Sequence, residues 1–166
     1  MNEQRMIGPS PKALRLLLDG SNEFTEPVRV LSDLTAANAL AMPQGSPHSI
    51  AQILAHMHFW QQFMIALMRQ ESPAYPQTEA DGWPSIEAEQ WPELVANFLA
   101  DLERLKSFTL DEVILEREYK PDVTVGYLIC DAALHNAYHL GQIVLLRCML
   151  GLWPPVGGAG YGYWPS

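Results

Sequence analysis

Two histidines four residues apart, His135 and His139, sit in the run Ala133-Leu134-His135-Asn136-Ala137-Tyr138-His139-Leu140-Gly141-Gln142-Ile143. In a helix this spacing puts both imidazoles on one face, one turn apart, close enough to share a metal ion. At about 100° per residue the same stripe carries Leu128, Ala132, Leu146 and Leu150, so the pair points inward. An unpaired imidazole in an apolar interior is costly, and a metal or a hydrogen-bonding partner must compensate.

Two imidazoles rarely hold a divalent ion tightly, so a third ligand is sought on another helix. His48, His56 and His58 lie in the second helical stretch. The face of His56 also carries Ile53, Trp60, Phe63 and Leu67 and should turn to the core. His58 shares the opposite face with Gln62 and Arg69 and should see solvent. His48 stands near the helix start, about 12 Å along the axis from His56. The geometry selects His56. Three neutral nitrogens from two helices leave coordination positions open, the pattern of a catalytic rather than a structural metal. Zinc, nickel, iron and copper all accept such a set. Asp131, Tyr138 and Gln142 flank the stripe and could take the outer N–H groups of the imidazoles or orient a substrate. The competing reading of the same residues is a set of hydrogen-bonded core histidines.

Four amphipathic segments must position these groups. The first runs from about Ser10 to Leu34, opened by Ser10-Pro11 and broken at Gly20-Ser21 and Pro27. The second spans about Pro47 to Gln70, started at Ser46 or by a Ser49-x-x-Gln52 capping box. The third spans Ile86 to Lys106, and the fourth Thr124 to Leu150, stopped by Gly151. Val113-Ile114-Leu115 reads as a short strand or irregular chain. Pro73, Pro76, Gly82 and Pro84 mark a long connection through Trp83. The pattern predicts an all-α four-helix bundle, with a long crossover connection between helices 2 and 3. The Pro, Gly and aromatic tail from Leu152 to Ser166 should be non-helical. Its Trp153, Tyr161, Tyr163 and Trp164 should pack on the body, near the site mouth or at a subunit contact.

The 166 residues read as one domain, 48% hydrophobic and 17% charged. A net charge of −9 with no basic cluster speaks against nucleic acid as a partner. No apolar run reaches the length of a membrane span, and Met1-Asn2-Glu3-Gln4-Arg5 does not read as a signal peptide, so a cytoplasmic location is expected. Cys130 and Cys148 lie about 27 Å apart on one helix, too far for a disulfide, and read as free thiols filling the core.

The string His135 to Ile143, followed by Leu145-Leu146-Arg147 and Gly151-Leu152-Trp153-Pro154-Pro155, resembles the DinB/YfiT-like superfamily. The segment Pro47 to Met57 is similar to that family's second-helix motif and puts its ligand histidine on His56. The resemblance covers roughly Asn22 to Pro155. It implies a four-helix bundle with an unusual crossing order, a zinc or nickel site of His56, His135 and His139, and a homodimer. It further implies a small-molecule substrate, with a low-molecular-weight thiol S-transferase or a hydrolase as the activity. Tyr138 and Gln142 would then act beside the metal. Gln52 departs from the glutamate that many relatives carry. The alternative function is a non-catalytic stress-response or small-ligand-binding bundle whose metal site is structural or vestigial.

Overall fold

Local signals in the chain open and close the helices. The computed structural model describes residues 5–20 and 24–158. Helix α1 (Pro11–Asp19) starts where the Ser10 hydroxyl accepts from the Ala13 amide, and it stops at Gly20, whose φ of 85° suits glycine. Two short helices follow, α2 (Pro27–Leu31) and α3 (Ala36–Leu40). The expected first segment is thus divided at Gly20 and Pro27, and α3 was not foreseen. Helix α4 (Ile50–Met68) begins with the Ser49/Gln52 capping box. Gln52 performs that task as an amide: its Oε1 accepts the Ser49 N–H at 2.9 Å.

The long connection after α4 contains 3-10 turns at Glu79–Gly82 and Ala88–Gln90 and leads into α5 (Trp91–Phe108). Val113, Ile114 and Leu115 form neither strand nor irregular chain but the short helix α6 (Glu112–Glu116), because the Asp111 carboxylate caps the Val113 and Ile114 amides. Antiparallel strands β1 (Glu118–Lys120) and β2 (Val123–Thr124) then deliver the chain to α7 (Val125–Met149), capped by Thr124. The N-terminal segment crosses the start of α7 so closely that a Cβ on Gly8 would lie 2.2 Å from the Gly126 carbonyl carbon.

The architecture is an all-α bundle of α1, α4, α5 and α7. Helix α1 packs on α5 and α7, and α4 packs on the same two. The diagonal steps are therefore α1 to α4 and α5 to α7, while the long connection from α4 to α5 joins neighbours. One core cluster gathers Ile50, Leu54, Met57, Phe98, Leu140 and Ile143; the other gathers Leu14, Leu18, Met68, Leu105, Leu128 and Ile129. Buried Asn136 donates to Gln61 Oε1 at 2.9 Å, and Gln61 donates to the Phe98 carbonyl at 2.9 Å. That chain ties α7, α4 and α5 together beside the histidines, and each buried amide gains a partner.

Arg147 is 1% exposed, and its guanidinium donates to the carbonyls of Val30 (2.6 Å), Ser32 (2.9 Å) and Leu152 (3.1 Å). Trp153 packs against the body as expected, its ring over that guanidinium. Tyr161, Tyr163 and Trp164 lie outside the described residues. Cys130 is half-buried and Cys148 exposed, both free, so Cys148 is not the core filler it was expected to be: it lies on the outward side of α7. Among the described residues no helix is long and apolar enough to cross a membrane.

Candidate metal centre

Helix α4 supplies one imidazole and α7 two, and the helices pack side by side. One ligand atom from each of His56, His135 and His139 can be chosen so that all three lie within 4.8 Å of one another. His56 Nε2 and His135 Nε2 are 3.2 Å apart. Two nitrogens on a tetrahedral zinc at about 2.05 Å would be separated by about 3.3 Å. His56 and His139 are buried and His135 half-buried.

Two of the three outer nitrogens are already committed. His56 Nδ1 donates to the Gly82 carbonyl at 2.7 Å, and His139 Nδ1 donates to the Gln142 side-chain oxygen at 2.7 Å. Each bond fixes the tautomer that leaves Nε2 as a lone pair, the form a metal ligand must have. Burial reinforces this. Desolvation, with His139 and His56 adjacent, lowers the pKa of His135 from 6.5 to about 4. His56 is lowered by burial against the opposing bond to Gly82, and His139 by burial against the opposing bond to Gln142. Neutral imidazoles at pH 7 need not shed protons before binding a cation. The donor set fits a divalent metal.

The same shifts predict how acid acts on the metal-free protein. The unfolded His135 takes its proton near 6.5 and the folded one only near 4. Protons therefore favour the unfolded chain, and stability falls as pH drops between those values. His56 and His139 act in the same direction. In urea denaturation at pH 7, 5.5 and 4.5, His135→Gln should lose less stability over that range than wild type. Equal losses would contradict the shift.

Of the other sites expected from the sequence, Tyr138 stands outward, its ring centroid 5.0 Å from that of His139. Gln142 holds His139 rather than facing an empty position. His58 does not face solvent: its Nε2 lies 3.1 Å from buried Asp101 Oδ2, because α5 packs on that flank of α4. His48 precedes the helix and stacks on Trp83 with ring centroids 3.9 Å apart. Burial raises the Asp131 pKa, and Lys120 partly offsets it. The Gly82 carbonyl was missed, since a backbone acceptor 26 residues from its histidine leaves no mark in side-chain spacing.

The model of the DinB superfamily matches residues 26–143, a span that contains all three histidines. No curated protein and no solved structure matches the chain.

Proposed function

Since the chain belongs to the DinB superfamily, we propose that it is a metal-dependent enzyme holding one zinc or nickel ion on His56, His135 and His139. The observation that carries this reading is the convergence of three neutral imidazoles, two of them with the outer nitrogen already bonded. A divalent ion held by neutral ligands keeps its full charge, which eases ionisation of a thiol or water at the open position and polarises an electrophile. The residues around it hold ligands in place: Gly82 fixes His56, and Gln142 fixes His139. Tyr138, on the exposed side of His139, orients the small-molecule substrate.

The reaction we favour is transfer of a low-molecular-weight thiol to an electrophilic carbon, with hydrolysis as the variant. Among the described residues the cluster is made of three histidines, with no Asp or Glu in it. Hydrolysis gains from a carboxylate base that takes a proton from water, whereas a thiol ionises more readily. The test is turnover of a halonitrobenzene with thiols of increasing size, using zinc- or nickel-loaded protein. Thiol-dependent product that disappears in His56→Ala is expected. Loaded protein that turns over neither with thiol nor with an activated ester would refute the enzyme reading.

A cavity of about 280 Å³, bounded by His48, Ile53, Gln142, Leu145, Leu146 and Met149 among others, favours a second reading as a binder of small apolar ligands. In that case ligand binding would survive replacement of the histidines.

We also propose a homodimer through α7. Leu134, Tyr138, Leu145 and Met149 are each more than half exposed. The one charged residue from 132 to 149, Arg147, is buried. The pairs Leu134/Met149 and Tyr138/Leu145 share one midpoint, between Gly141 and Gln142, so two antiparallel copies would match apolar side chains about a two-fold axis. Light scattering should give a dimer for wild type and a monomer for Leu145→Glu; a monomeric wild type at micromolar concentration would overturn it.

A further inference from the structure

The connection between α4 and α5 returns across the histidine cluster. Its 3-10 turn is preformed by Asp81, whose Oδ2 accepts the amides of Gln77 (3.0 Å) and Thr78 (2.8 Å). The turn presents the Gly82 carbonyl to His56 Nδ1 and lays the Trp83 ring on the His56 ring, with centroids 3.9 Å apart and planes 14° apart. His48 lies equally near Trp83, at 3.9 Å and 8°. Two rings that close and that parallel cannot share one face of an indole, so Trp83 is held between His48 and His56. Gly82 is buried under Trp60, whose Nε1 would stand 3.2 Å from a Cβ at that position, so a side chain there would press on the Trp60 ring.

We infer that this connection is a strap that sets the orientation of His56, with Trp83 as its positioning residue and His48 as the backing that holds Trp83 in place. The inference rests on the reading of His56 as a metal ligand. A carbonyl acceptor alone fixes which nitrogen carries the proton, yet it leaves the imidazole free to tilt about the Nδ1–H axis. A stacked ring alone fixes the plane but lets the proton move between nitrogens. Together they leave one orientation, with the Nε2 lone pair aimed at His135. The edge of Trp83 also meets His139, with centroids 6.1 Å apart and planes 84° apart, so the same indole borders two of the three ligands. The long connection, which bundle topology does not require between neighbouring helices, thereby acquires a task.

The test compares wild type with Trp83→Ala, Trp83→Phe and His48→Ala by three measurements. These are the histidine side-chain ¹⁵N spectrum of the metal-free protein, zinc affinity by competition with a chelating dye, and the metal-free melting temperature. Wild type should show His56 as a single tautomer protonated at Nδ1. Trp83→Ala, which keeps the Gly82 acceptor, should keep that tautomer but, with the ring free to tilt, bind zinc about 10- to 100-fold more weakly, the range for loss of a group that orients a ligand. Trp83→Phe, which still stacks, should stay within about threefold of wild type. His48→Ala, which does not touch the ligand, should fall between. A Trp83→Ala protein that melts lower but keeps the zinc affinity of wild type would overturn the strap. A wild type that locks the tautomer yet binds no zinc would uphold the strap and remove the metal reading instead.

Discussion

Alanine at His56, His135 or His139 lowers zinc affinity by roughly 100-fold or more, and His58→Ala leaves it near wild type. The magnitude follows from dividing the roughly 10–16 kcal/mol of a four-ligand zinc site among its ligands. The specificity follows from geometry. Three imidazoles share a centre, whereas His58, two residues along α4, is engaged by Asp101 on the far flank. Chelator competition on the four variants measures this directly. Equal loss in all four would mean that the helix, and not the ligand set, had been disturbed. No loss in any would mean that the histidines are core residues.

Arg147→Ala destabilises the fold by about 3 kcal/mol, because three carbonyls lose their donor and the one on buried Val30 is left without it away from water. These carbonyls belong to α2, the turn after it and the segment after α7, so one side chain secures three pieces of chain at one end of the bundle. Arg147→Lys should recover only part of the loss, since an ammonium cannot span acceptors arranged for a planar fork. Urea denaturation reads both effects. The folded fraction of Arg147→Ala should still bind zinc normally, because Arg147 lies two turns beyond His139. A change below about 1 kcal/mol would show that the carbonyls find water.

Periodicity made the ligand set legible. His135 and His139 declare themselves by spacing, and His56 by the apolar residues that share its face. The same reasoning failed at His58, because a helix in a four-helix bundle has two packed flanks and the face opposite the site abuts α5. Of the two helix starts that the sequence offered, the Ser49 cap is the one used, which leaves His48 outside the helix and free to stack on Trp83. Helix α6 escaped because a five-residue helix shows too little of its period to be told from a strand. Nothing in the spacing marks Arg147 as a buried donor, and only the fold brings it to Val30 and Ser32. The partners of Gln61 and Asn136 are equally remote, on other helices. Long helices and the groups along one face are written locally; carbonyl acceptors and cross-helix polar pairs are set by topology.

Element-resolved metal content of wild type and His135→Ala, purified without an affinity tag and without chelator, tests the central claim most directly. About one zinc or nickel per chain in wild type, lost in the variant, is the predicted result. A wild type that is folded, carries no metal and cannot be loaded with zinc or nickel would contradict the account and leave His56, His135 and His139 as hydrogen-bonded residues of the bundle core.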